Sequence, residues 1–151
     1  MPLLTIEHAR QEESAGCLAA CTQMVLNYIG TAISQMELNR LFDLTKMGVP
    51  YSRLKRLTKY DVEAMLKEGD LSDLQQLINQ NVPPILFLRT GELSYWQDDT
   101  QHAVVMSGYE DDILLLNDPA FPSAPQRVLA DELMLAWDEF DNVYAQLTRL
   151  K

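Results

Sequence analysis

The chain has 151 residues and carries 12 Lys and Arg against 22 Asp and Glu, a formal net charge of −10. That length suffices for one domain that buries about two thirds of its unfolded surface without a disulfide or metal staple. The acidic balance excludes the clustered cations of a nucleic-acid footprint; it suits a cationic peptide, although net charge speaks first to solubility.

Read in chain order, Leu3–Ile6 is a short strand or extended lead-in, followed by a polar segment from His8 to Ser14. Between Ala15 and Ile29 the apolar positions Leu18, Cys21, Val25, Leu26 and Ile29 recur at helical spacing, and Gly30 stops the helix. Ser34-Gln-Met-Glu37 is a capping-box pattern that opens a second helix to about Phe42. The stretch Lys46–Lys59 is basic, with a turn at Gly48–Pro50. Asp61–Lys67 and Asp70–Gln80 are expected as helices, the second capped by Asp70, with Leu71, Leu74, Leu77 and Ile78 on one stripe.

The character then changes to strands. Pro84–Leu88 reads as a buried strand, and Thr90–Thr100 as a polar loop carrying Tyr95 and Trp96. His102–Gly108 reads as a strand that turns at Glu110-Asp111-Asp112 into a second, Ile113–Asn117, ended by Asp118-Pro119. Gln126–Leu129, a short helix Ala130–Trp137 and a last strand Val143–Leu147 complete the chain. Helices followed by an antiparallel sheet predict an α+β domain over residues 1–151.

The longest apolar runs, Ile85–Leu88 and Ile113–Leu116, fall far short of the roughly 20 residues of a membrane span. Met1–Glu7 lacks the basic start and apolar core of a signal peptide. The expectation is a cytoplasmic chain with no membrane insertion and no nucleic-acid partner. Cys17 and Cys21 lie one helical turn apart, a poor geometry for a disulfide, and two cysteines make no secreted framework. No paired Cys/His spacing supports zinc, so no cofactor is expected.

Four positions carry chemistry. A cysteine nucleophile works as the thiolate, and the free N–H groups at a helix N-terminus favour the anion. Cys17 lies where that field acts, among the small residues Ala15, Gly16, Ala19 and Ala20; Cys21 lies one turn inside and reads as core. A thiolate needs a base that later protonates the leaving amine. Of the two histidines, His8 reads as solvated and His102 as fixed at a strand end. The imidazole needs an acceptor on its other nitrogen, and either Asn117 or Asp118, ending the neighbouring strand, would serve. Gln11, six residues before Cys17, is a candidate oxyanion donor. Trp96, with Tyr95 beside it, is expected to line a substrate cleft, because a loop just before the His102 strand is a usual place for binding residues.

Together these pieces resemble the double-glycine leader peptidases, papain-like cysteine peptidases that process bacteriocin and quorum-peptide precursors. The resemblance rests on Gln11-Glu-Glu-Ser-Ala-Gly-Cys17 running into the helix to Gly30, and on His102-Ala-Val-Val-Met-Ser-Gly-Tyr109 with Ile113-Leu-Leu-Leu-Asn-Asp-Pro119. It covers nearly the whole chain. It implies a papain-like fold with N-terminal helices on a C-terminal antiparallel sheet. It also implies Gln11 as oxyanion residue, Cys17 as nucleophile, His102 as base and Asp118, rather than Asn117, as the orienting acid. Many members have Asp before the nucleophile and Gly after it; here Gly16 and Leu18 stand there. The implied substrate is a peptide or protein, with an exporter or precursor peptide as a further partner. Two other readings share the residues: an acyltransferase, transglutaminase-like enzyme or deamidase using the same groups, and an inactive peptidase-like module that binds a peptide.

Overall fold

The computed structural model describes residues 2–150. Its elements are α1 (Cys17–Tyr28), α2 (Gln35–Leu41), a 3₁₀ helix (Tyr51–Tyr60), β1 (Val62–Glu68), α3 (Leu71–Asn79), β2 (Ile85–Arg89), β3 (Gln101–Glu110), β4 (Ile113–Asn117), β5 (Gln126–Leu129), α4 (Ala130–Asp138) and β6 (Val143–Arg149). The strands form one antiparallel sheet in the order β1-β6-β2-β3-β4-β5. The fold is thus α+β, as expected.

Alternation along the strands gives the sheet two apolar faces, and helices cover both. Phe87, Ala103, Val105 and Ala145 pack against Leu18, Met24 and Leu26 of α1, Leu38 of α2 and Leu54 and Leu57 of the 3₁₀ helix. Leu86, Leu88, Val104 and Met106 pack against Leu74 and Ile78 of α3 and Leu133 and Trp137 of α4. Trp137 is fully buried, and its indole N–H donates to the Val143 carbonyl at 2.7 Å, so a large apolar body enters the core without an orphaned donor.

Local capping explains where helices start. Asp70 accepts from the Asp73 backbone N–H while the Asp73 side chain accepts from Asp70 N, a reciprocal box. At Ser34 only half of that box forms: its hydroxyl accepts from Glu37 N at 3.1 Å.

One expected helix is a strand. Residues 62–68 form β1, paired with β6 along its whole length from Val62↔Arg149 to Glu68↔Val143. Glu63, Ala64, Met65, Leu66 and Lys67 are good helix formers, but sheet pairing overrides so weak a preference. Val62, Ala64 and Leu66, at period two, pack on the α1 side of the sheet. The sheet therefore draws an edge strand from the middle of the chain, and the helices do not all precede it. The basic stretch, left open by its sequence, holds the 3₁₀ helix.

The lead-in runs along the sheet from the far end of β3 to the end that carries the site. Leu3 bridges Gly108, Leu4 N donates to Ser107 O at 2.7 Å, and Gln11 N donates to Pro119 O at 2.8 Å. The β3–β4 register shifts between Met106 and Gly108. A side chain at Gly108 would meet the Pro2 carbonyl oxygen at 2.5 Å, so only glycine lets the lead-in cross there. The Gln11–Pro119 bond brings the turn before α1 beside the strand end at Asp118.

Candidate active site

Cys17 is the first residue of α1, after the N-cap Gly16, and no side chain caps that helix end. A Cβ on Gly16 would press on Glu13 at 3.2 Å, which favours a small residue just before the cysteine. The N-terminal N–H groups and their partial positive charge thus act on the Cys17 sulfur with no side chain competing for them. Cys17 is half-buried, whereas Cys21 is fully buried. Burial, with the nearby Cys17 and Asp118 charges, pushes the Cys21 thiol well up, so it stays protonated and apolar.

His102 stands at the start of β3 and Asp118 just past the end of β4. His102 Nε2 lies 2.6 Å from Asp118 Oδ1. Cys17 and His102 line the same cleft; with Nε2 engaged by Asp118, Nδ1 is the ring nitrogen left for the thiol. Burial alone would pull the imidazole down, but the hydrogen bonds and charges of Asp118 and Cys17 outweigh it and push the pKa up to about 9.

Asp118 is wholly buried, and a buried carboxylate needs donors on every lone pair it can offer. It has four. His102 and the Ala120 backbone N–H (2.9 Å) serve Oδ1, while the Tyr95 hydroxyl (2.7 Å) and the Trp96 indole N–H (2.9 Å) serve Oδ2. Burial raises its pKa, but these hydrogen bonds and the His102 charge win and hold it below the usual carboxylate value. Burial and the same carboxylate hold the Tyr95 phenol up, so Tyr95 remains a donor.

Asn117 does not face His102. Its amide lies 3.3 Å from His8 Nδ1, and His8 Nε2 lies 2.7 Å from the Phe121 carbonyl. With Nε2 carrying the proton, Nδ1 accepts from Asn117. His8 is therefore part-buried, held between the end of β4 and the turn that follows it, and not solvated as the polar lead-in had suggested.

A cleft of about 750 Å³ opens on Cys17 and His102 and is also lined by Gln11, Leu18 and Trp96. A second hollow of about 380 Å³, over α2 and Glu12–Glu13, holds neither reactive side chain. Trp96 meets the cleft and also packs edge-on against His102, centroids 4.9 Å apart. Tyr95 does not line the cleft: its hydroxyl is spent on Asp118 and its ring packs on Phe121 at 5.3 Å. The substrate-facing place expected for Tyr95 is thus corrected to a second layer behind His102, because the buried carboxylate needs the donor more than the cleft does.

Gln11 lines the cleft, but its amide nitrogen donates to the Glu13 (3.1 Å) and Ser14 (2.8 Å) carbonyls. Flipping the amide would set its oxygen against those two carbonyls, so this orientation is the stable one. Both amide hydrogens are thus engaged.

A thiol at a helix N-terminus facing a histidine–carboxylate pair on a neighbouring sheet, at the floor of a cleft, is the arrangement of papain-like cysteine peptidases. Residues 5–142 match the Peptidase C39 family, and the chain belongs to that family. Among solved structures, the chain is similar to the peptidase domain of Streptococcus ComA, a bifunctional ABC transporter involved in quorum sensing (18% identity, 95% of this chain and 98% of that one, TM-score 0.77). It is similar to a C39-like peptidase from Bacillus anthracis (16% identity, 99% and 98%, TM-score 0.79). A double-glycine motif protease from an AMS/PCAT transporter, solved with its leader peptide, also shares the fold (18% identity, 96% and 92%, TM-score 0.74). No curated protein sequence matches the chain. No helix among the described residues is long and apolar enough to cross a membrane.

Proposed function

We propose that this chain hydrolyses peptide bonds through a Cys17 thioester. The observation that carries the reading is a cleft lined by both Cys17, at a helix N-terminus, and His102, whose ring is held by Asp118 at 2.6 Å. The Cys17 thiolate attacks the scissile carbonyl carbon, and the His102 imidazolium passes its proton to the leaving nitrogen, releasing the amine and leaving a thioester. Neutral His102 then takes a proton from water. The hydroxide adds to the thioester carbon, the carboxylic acid leaves, and the thiolate–imidazolium pair is restored. Asp118 fixes the ring and stabilises its charge without taking the proton. The Cys17 backbone N–H and Gln11 hold the developing oxyanion. Gln11 exchanges one carbonyl bond for it, since a charged oxygen is the better acceptor.

The leader-peptide complex of a structural neighbour makes a leader peptide the substrate class to try first, and the transporter-borne neighbours make an exporter the partner to look for. The setting in which such a chain would work is the cytoplasm.

The test is hydrolysis of a peptide library with intact-mass detection of the acyl-enzyme. The reading expects product and a transient adduct in the wild type, and neither in Cys17→Ala. Hydrolysis that persists in Cys17→Ala would overturn it.

A further inference from the structure

The side chain of Gln11 does not fix its own position. Its amide nitrogen rests on the Glu13 and Ser14 carbonyls, and its amide oxygen is buried with no partner among the described residues. Where that amide stands relative to Cys17 is therefore set by what holds the backbone of residues 10–12.

Two clamps hold that backbone. The Gln11 N–H donates to the Pro119 carbonyl at 2.8 Å, one residue past Asp118. The other clamp is Gln35, the first residue of α2 and only 2% exposed. Its Oε1 accepts from the Glu12 backbone N–H at 3.0 Å, and its Nε2 donates to the Arg10 carbonyl at 2.9 Å. One side-chain amide thus takes the peptide groups on both sides of Gln11, as a paired strand would. The second hydrogen of Nε2 goes to Gln23 Oε1 at 3.0 Å. Gln23 lies on α1, within two turns of Cys17.

Gln35 therefore joins the Gln11 segment to the helix that carries the nucleophile. The fixed polarity of Arg10 O and Glu12 N decides which way its amide lies. None of the three bonds serves α2, whose start is capped by the Ser34 hydroxyl. A buried amide is costly unless its bonds are made, and an apolar residue of the same length would fill the space without that cost. What the amide adds is the register of Gln11 against α1.

We propose that Gln35 is a positioning residue that acts through Gln11: it holds the Gln11 amide where an oxyanion forms on the carbonyl attacked by Cys17. The proposal rests on the peptidase reading above, in which Gln11 and the Cys17 backbone N–H share that oxygen.

The test compares two reactions of the same sulfur. Acetyl-Gly-Gly p-nitrophenyl ester acylates Cys17 through a tetrahedral oxyanion, with sulfur adding to the carbonyl carbon and p-nitrophenolate leaving. Iodoacetamide alkylates Cys17 by displacement of iodide at a saturated carbon, with no oxyanion. Gln35→Met keeps the length and removes all three bonds. In protein shown to be folded by circular dichroism, it should slow acylation about 10- to 100-fold, the scale of a displaced oxyanion donor. Alkylation should keep nearly its wild-type rate. In a Gln11→Ala background, where acylation is already slow, Gln35→Met should add almost nothing, because the two residues act as one unit. Gln35→Glu keeps the bond from Glu12 N but turns an oxygen on the Arg10 carbonyl; it should show the same split between reagents, and it carries the test if Gln35→Met does not fold. Wild-type acylation in a folded Gln35 variant, an equal fall in both reactions, or an undiminished further loss in the Gln11→Ala background would overturn this inference and leave the peptidase reading standing. Wild-type acylation in Gln11→Ala itself would remove Gln11 from the oxyanion site and overturn that part of the reading together with this inference.

Discussion

The two sides of the cleft are built differently. On the His102 side the polar groups are anchored: His102 sits at the start of a strand, Asp118 just past the end of its neighbour, and the buried carboxylate takes four hydrogen bonds. On the opposite side the wall is a tight turn at Thr45–Gly48 leading into a 3₁₀ helix, with Lys46 and Met47 facing solvent and cleft. One side spends polar groups to fix a ring, the other offers apolar surface to whatever enters. Chemistry that fails when an atom moves by an ångström belongs on the first kind of structure, and selectivity on the second.

If that division holds, substitutions on the anchored side act on turnover, and those on the turn side act on substrate choice. The largest effect falls on the ring itself. His102→Ala should abolish measurable hydrolysis, and Asp118→Asn should lower kcat by about 10³ to 10⁴ with KM little changed, both read in steady-state assays. The pH profile sharpens the point. With the His102 pKa at about 9, the alkaline limb of kcat/KM should have its midpoint near there. Asp118→Asn removes a cause of that rise, so the limb should move to lower pH.

The same shifts set a stability window. The His102 contribution is fully present below the ordinary value of 6.5 and is lost as pH rises through about 9. The Asp118 contribution is present above the ordinary value of 3.8 and is lost as pH falls through its depressed folded value. Urea midpoints should therefore fall between 6.5 and 9, and His102→Ala should flatten that slope.

A smaller effect is expected one layer back. Tyr95→Phe leaves Asp118 Oδ2 with Trp96 alone, and should cost about 1–3 kcal/mol of stability, the scale for depriving a buried group of one donor. Turnover should fall less than in Asp118→Asn, and the alkaline limb should move while KM stays put. A substrate-binding tyrosine would instead raise KM. Tyr51→Ala, on the turn side, should leave the pH profile where it is and change the ranking of substrates, a shift of about tenfold at most.

What could be read from the chain follows the range of the interactions. The Cys17 helix, the His102 strand with its neighbour ending at Asn117-Asp118, and the α+β class rest on local periodicity and spacing, and the structure has the same elements; the choice of Asp118 over Asn117 rested on the family resemblance. Gln11 and Cys17 are near in sequence, so their sharing of one cleft was also legible. Strand β1 was not, because its helix-forming residues are overruled by pairing with β6, some 80 residues away, although Val62, Ala64 and Leu66 at period two carried the signal. The bonds of Tyr95 and Trp96 to Asp118 span 23 and 22 residues and leave no pattern in either segment. Only the need of a buried carboxylate for donors would have pointed to them. His8, too, finds its partners 109 and 113 residues away.

The central claim is that the Cys17 sulfur, and not that of Cys21, is the reacting atom, held beside His102. The most direct measurement is iodoacetamide alkylation of the native protein at neutral pH, followed by peptide mapping over time. The account predicts fast modification of Cys17, slower modification of Cys17 in His102→Ala near pH 6, and Cys21 modified only after unfolding. Native labelling of Cys21 ahead of Cys17, or a Cys17 rate indifferent to the loss of His102, would contradict it.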